Sequence, residues 1–150
     1  MIGGWQLGSI VTLQSGFPIA VNIGGSDRSQ NGSGYDRPNA TGISPYLDNP
    51  VPAHWFNLAA FALQSPGTIG NAGRNTLVGP GMVSWDFSTH KDFRIREGQT
   101  LQFRWEAFNM PNHPVWSNPN ANANNSGTFG VIGGTRTNMR NMQFALKYVF

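Results

Sequence analysis

In the segment MVSWDFSTHKDFRIREGQTLQFRWEAFN (82–109), side-chain character alternates with a period of two. Val83, Trp85, Phe87, Thr89, Lys91, Phe93 and Ile95 share one face of an extended chain. Ser84, Asp86, Ser88, His90, Asp92 and Arg94 share the other. This is the period of a strand, not of a helix. Beyond Gly98 the alternation resumes, with Leu101, Phe103, Trp105 and Ala107 against Gln102, Arg104, Glu106 and Phe108. Two long strands across a tight turn make an antiparallel hairpin. Directly opposed residues share a face, so the apolar sets stay together only if paired numbers have an even sum. A three-residue loop, Arg96-Glu97-Gly98, meets that condition and places Gly98 in the left-handed position. A two-residue loop, Glu97-Gly98, would mix the faces.

Two further segments alternate in the same way. Over 4–16, Trp5, Leu7, Ser9, Val11 and Leu13 oppose Gln6, Gly8, Ile10, Thr12 and Gln14. Over 140–150, Met142, Phe144, Leu146, Tyr148 and Phe150 oppose Asn141, Gln143, Ala145, Lys147 and Val149. The expected fold is all-β, with four long antiparallel strands at about 4–16, 82–95, 101–109 and 140–150. Very long connections, 17–81 and 110–139, join the first strand to the second and the third to the fourth. They carry much of the 19 Gly and 10 Pro, which is turn chemistry. HWFNLAAFAL (54–63) allows one or two helical turns, and the Asn-rich tract 118–125 reads as a dispensable loop tip.

Composition removes several classes of function. There is no Cys, hence no disulfide framework, thiol catalysis or zinc finger. Ten Lys and Arg stand against seven Asp and Glu, giving a net charge of +3. The basic residues form no stripe, so a nucleic-acid partner is not expected. No apolar run is long enough for a membrane-spanning helix. His54, His90 and His113 lack ligand spacing, and the glycine-rich stretch 67–81 lacks a phosphate-loop Gly-Lys-Ser/Thr ending. Neither an enzyme nor a metal or cofactor site is expected.

The apolar faces, rich in Trp, Phe and Leu, have no amphipathic helix to cover them. A bilayer would cover them, since strands of about ten residues, apolar outside and polar inside, are the signature of a membrane barrel. Short turns on one side and long loops on the other fit the same architecture. Four strands do not close a barrel, so they form part of a wall. Asp86, His90, Asp92, Arg94, Arg104 and Glu106 then form a network of paired charges facing the lumen. Lys91 falls on the lipid side, where a lysine at the midplane costs roughly 2–4 kcal/mol and less near the interface.

The ending MQFALKYVF (142–150) resembles the C-terminal signal of bacterial outer-membrane barrels. Phe150 is terminal, Tyr148 precedes it by two, and Leu146, Phe144 and Met142 continue the alternation. The rest resembles the C-terminal end of Oar-like TonB-dependent receptors, the type bearing a carboxypeptidase-regulatory-like domain. The matching stretches are WQL (5–7) through QSGFP (14–18), DRPN (36–39), WFN (55–57) to Phe61 and GNAGRNTLVGPG (70–81). They continue with LQFR (101–104) to NHP (112–114) and GTFG (127–130). They run in the family's order over nearly the whole chain.

The resemblance implies an outer-membrane location and a role as the last four strands and outer loops of a nutrient receptor. A signal peptide, a TonB box, a plug and earlier strands are not among these residues. It implies a periplasmic Gly98 turn and C-terminus, with both long loops extracellular. The implied partners are outer-membrane lipid, the remaining barrel and plug, the barrel-assembly machinery, and TonB through the plug region. Two other readings stay open on the residues themselves. One is a small extracellular β-rich module binding glycan through its Trp/Asn loops. The other is a structural or adhesive outer-membrane protein.

Overall fold

The computed structural model describes residues 3–32 and 34–150. Among the described residues eight strands follow in chain order: β1 (Trp5–Gln14), β2 (Pro18–Ile19), β3 (Asn39–Ala40), β4 (Phe61–Ala62), β5 (Leu77–Val78), β6 (Met82–Arg96), β7 (Gln99–Phe108) and β8 (Asn141–Val149). The four long ones form a single antiparallel sheet in the order β1-β6-β7-β8. The chain divides into two compact units. The first contains the sheet, and the second comprises Ser15–Gly81 and Trp116–Thr135.

Register in the sheet follows the alternation. Gln14 faces Met82 and Trp5 faces Lys91. Phe87 faces Ala107, and Arg94 faces Thr100. Ala107 faces Met142, and Thr100 faces Val149. Every pair from Phe87↔Ala107 to Arg94↔Thr100 has an even sum. The turn itself differs from expectation. Its closing pair is Arg96↔Gln99, so the loop is the two residues Glu97-Gly98, and a register shift between Arg94 and Arg96 absorbs the parity change. A bulge inserts one extra residue on one strand, which keeps the apolar sets on one face despite the shorter loop. Gly98 is left-handed at φ 77°, where a Cβ would be strained.

The connections enter and leave at the sheet end opposite Gly98. Gln14 and Met82 are paired neighbours although 15–81 lies between them. Likewise Phe108 faces Asn141 across the excursion 109–140. Asn109 shapes the exit from β7. It adopts a left-handed φ of 50°, and its backbone N–H donates to Asp86 Oδ1 at 2.9 Å. Its side chain accepts from His113 N–H at 3.0 Å and donates to the His113 carbonyl at 3.0 Å.

The second unit holds most of the buried apolar residues. Ile19, Val21, Phe56, Leu77 and Phe129 form its core. The rings of Phe56, Phe61 and Phe129 meet edge to face, with centroids 5.1–6.2 Å apart. β2 pairs with β5 and β3 with β4. The segment 54–63 makes only a 3₁₀ turn at Leu58–Ala60, capped by the Asn57 side chain. The Asn-rich tract is a structural part of this unit, not a loose tip. Asn22 N–H donates to the Ala121 carbonyl at 3.0 Å, and Ala123 N–H donates to the Asn22 carbonyl at 2.8 Å. Asparagine side chains mimic backbone turns, which lets such a polar tract order itself.

Carboxylates hold a polar loop of the same unit. Asp36 accepts from Ser29 N–H at 2.6 Å and from Ser29 Oγ at 2.8 Å. Burial acts to raise the Asp27 pKa, but donors from Gly32, Asn31, Ser29 and Gln30 outweigh it and hold the carboxyl below its ordinary value. Its contribution to order is therefore present above the usual carboxylate range and is lost as pH falls through the lowered pKa.

Gly70 is one of two positions among the described residues of this unit, with Gly16, where a side chain would meet backbone head-on. A Cβ there would overlap the carbonyl oxygen of Arg37, a backbone atom that cannot swing aside. Gly70→Ala should destabilise the second unit by about 2 kcal/mol, the ordinary cost of overpacking. Amide exchange at Ala72, whose N–H donates to the Pro38 carbonyl at 3.0 Å, should accelerate accordingly. Gly34→Ala, with nothing near its added methyl, should leave that rate unchanged.

Candidate functional site

The working surface is the sheet, and its two faces differ in chemistry. Odd positions of β1, β6 and β7 align with even positions of β8. That face displays Trp5, Leu7, Val11 and Leu13, then Val83, Trp85, Phe87 and Phe93. Leu101, Phe103, Trp105, Met142, Phe144, Leu146 and Tyr148 complete it. Its outer strands are exposed along their whole length; Leu7 is 70% exposed, and Phe144 and Leu146 68% each. An apolar face exposed along whole strands is one that water does not normally cover.

The height of the apolar face matches a bilayer. From Val83 to Phe93 the strand advances ten residues, about 34 Å at 3.4 Å per residue. A barrel tilt of about 40° reduces this to about 26 Å, against an apolar band of about 25 Å. Aromatic rings run across the face. Phe87 meets Trp85 at 6.5 Å and Trp105 at 5.9 Å, and Trp105 stacks on Phe144 at 6.2 Å. The Trp85 indole N–H donates to Ser9 Oγ at 2.8 Å, satisfying a polar group that hydrocarbon would leave bare.

Lys91 stays on this face, without any bulge to turn it inward. Its ammonium lies 4.5 Å from the Trp5 ring centroid and 5.1 Å from that of Phe93. Only 8% of the residue is exposed. Cation–π attraction gains strength where water is excluded, and the long stem lets the charge lean toward the turn end. These two effects explain how a lysine sits in an apolar row.

The opposite face is polar. Ser88, His90, Asp92 and Arg94 of β6 align with Glu106, Arg104, Gln102 and Thr100 of β7. Gln6, Gly8 and Thr12 of β1, and Gln143 and Lys147 of β8, extend it. Ile10 and Phe108 are apolar exceptions toward the long-connection end. Gly8 lies opposite Ser88, and a Cβ there would press on the serine hydroxyl.

The structure places all six of the sequence-predicted polar residues on this face, but its pairing differs from a network of matched charges. The one contact at ion-pair distance among the described residues is His90 Nε2 to Asp92 Oδ1 at 2.8 Å. Asp86 accepts from the Asn109 backbone, and Glu106 accepts from the Gln143 side-chain amide. Arg104 faces His90 and Arg94 faces Thr100. Register thus sets neither arginine directly across from a carboxylate. The sequence alternation put Lys147 and Gln102 among the polar sets of their strands but outside the expected network; register sets them opposite each other beside it. Their alternate positions on β8 and β7 were the available signal.

β8 carries Met142, Phe144, Leu146 and Tyr148 on the apolar face. Phe150 continues the run, its ring stacked on Tyr148 at 5.8 Å. The outward edges of β1 and β8 have no strand beside them among the described residues. In hydrocarbon each unpaired backbone group costs several kcal/mol, so these edges require further strands. No helix among the described residues is long and apolar enough to cross a membrane. No cluster of His, Cys, Asp or Glu suited to a metal occurs among them either.

A family model described as an outer membrane beta barrel domain matches residues 1–143. The match spans the long connections as well as β1, β6 and β7, and ends just inside β8. No curated protein and no solved structure matches the chain.

Removing Phe150 tests the end of the wall. The deletion should sharply reduce the amount of folded, heat-modifiable barrel in outer-membrane fractions, because it removes a ring from the turn-end aromatic row. Removing Tyr35, which is 86% exposed and lies outside the four long strands, should leave that amount unchanged.

Proposed function

The chain belongs to the outer membrane β-barrel domain family and its place is the outer membrane, and from this premise we propose that it is the closing part of a TonB-dependent nutrient receptor. On this reading it supplies four strands of barrel wall, the outer loops and the C-terminal assembly signal. The observation that carries the proposal is the resemblance to Oar-like receptors, whose motifs run in order from Trp5 to Gly130. The size and order of the long connections support it. Within 15–81 and 116–135 the chain builds a unit with its own aromatic core.

Orientation follows from the barrel rule of short periplasmic turns and long extracellular loops. The Gly98 turn and Phe150 lie on the periplasmic side, and the second unit belongs to the cell surface. The strands work by binding and passage, not by catalysis. Met142, Phe144, Leu146, Tyr148 and Phe150 form the signal read by the assembly machinery. A plug in the same barrel receives energy from TonB. Lipid covers the apolar face, and the remaining strands satisfy the edges of β1 and β8.

The test is energy-dependent uptake. Cells that make the intact protein should accumulate or grow on its nutrient only with a functional TonB and a charged inner membrane. The periplasmic domain of TonB should retain the intact protein on a column. Uptake that persists without TonB, together with no retention, would replace the receptor reading with a passive or adhesive barrel.

A further inference from the structure

The polar face leaves its charges unevenly matched. Each of its three carboxylates is engaged: Asp92 by His90, Asp86 by the Asn109 N–H and Glu106 by the Gln143 amide. The three permanent cations, Arg94, Arg104 and Lys147, take part in no ion pair among the described residues. Two of them border one groove of about 290 Å³, lined by His90, Gln102, Arg104, Ala145 and Lys147. That lining holds two cations, an imidazole and an amide, and no carboxylate.

Register explains the groove. Arg104 stands between His90 on β6 and Ala145 on β8. Ala145 is the smallest side chain of its row, and its methyl leaves open space beside the guanidinium. Lys147 borders that space from the next row, opposite Gln102. A water's share of liquid is about 30 Å³, so the groove holds roughly ten waters, or a small ligand with part of its hydration. A guanidinium fork takes two oxygens of one anion at once, and an ammonium adds a point charge.

We propose that this groove binds a small doubly charged oxyanion, such as phosphate or a dicarboxylate, carried as a free solute in the barrel interior. The proposal rests on the polar face being the water-filled side of the barrel. It does not depend on coupling to TonB, so its success or failure is separate from that of the receptor reading.

The experiment uses the folded protein in detergent at low ionic strength, with inorganic phosphate as the probe and succinate as competitor. Phosphate should bind saturably and be displaced by succinate. Arg104→Gln and Lys147→Gln should each weaken binding about tenfold, the loss expected for one charge-assisted contact. Lys147→Arg should retain it. Both glutamine variants alter exposed side chains, and heat-modifiable migration checks that each remains folded. In the unaltered protein, phosphate should slow phenylglyoxal modification of Arg104. Absence of saturable binding, or binding by both glutamine variants as tight as that of the unaltered protein, would overturn the proposal. So would an Arg104 that resists phenylglyoxal with and without phosphate, because a carboxylate from a neighbouring segment would then fill the groove.

Discussion

Hydrocarbon offers no hydrogen bonds, and everything in the sheet follows from that. Each backbone N–H and C=O must find a partner within the protein, so a spanning segment that is not a helix must be a strand flanked by strands. β6 and β7 meet this fully, with neighbours on both sides. The side chains then obey the pleat. One set faces lipid and must be apolar over about 25 Å, and the alternate set faces water. The ring ladder Trp85–Phe87–Trp105–Phe144 and the polar row of His90 and Arg104 are two consequences of one register.

The same constraint explains where the core is. In a soluble domain the long strands would bury the large side chains. Here β1 and β8 are exposed throughout, and most buried apolar residues lie in the connections, around Phe56, Leu77 and Phe129. The sheet's apolar surface is reserved for lipid. The polar, glycine-rich connections must therefore be held by their own small core, by Asn and Asp hydrogen bonds and by close backbone approaches such as that at Gly70.

Much of the sheet was legible in the sequence because a period of two is a direct imprint of the pleat. Val83 to Phe93 and Leu101 to Ala107 declare their faces without any knowledge of neighbours. The even-sum register also followed from chemistry alone, although the loop length did not. A bulge is set by local backbone geometry near Ile95, and no residue type there announces it. The connections were illegible for a related reason. Their order depends on meetings between residues far apart in the chain, such as Asn22 with 121–123 or Trp55 with Val78, and no period records such meetings. The polar face was readable as a list of residues but not as a set of partners. Which donor satisfies Glu106 or Asp86 is decided by Gln143 and Asn109, brought there by the topology.

The central claim is that one face of this sheet meets lipid and the other meets water. Single spin labels placed in turn at positions 101 to 107 of β7, in the protein within bilayers, test it most directly. Collisions with oxygen, which dissolves in lipid, and with a water-soluble nickel chelate give two accessibility profiles. The account predicts that both profiles oscillate with a period of two and are out of phase. Oxygen should dominate at positions 101, 103, 105 and 107, and nickel at 102, 104 and 106. Profiles without alternation, or with the nickel chelate favouring the odd positions, would contradict it.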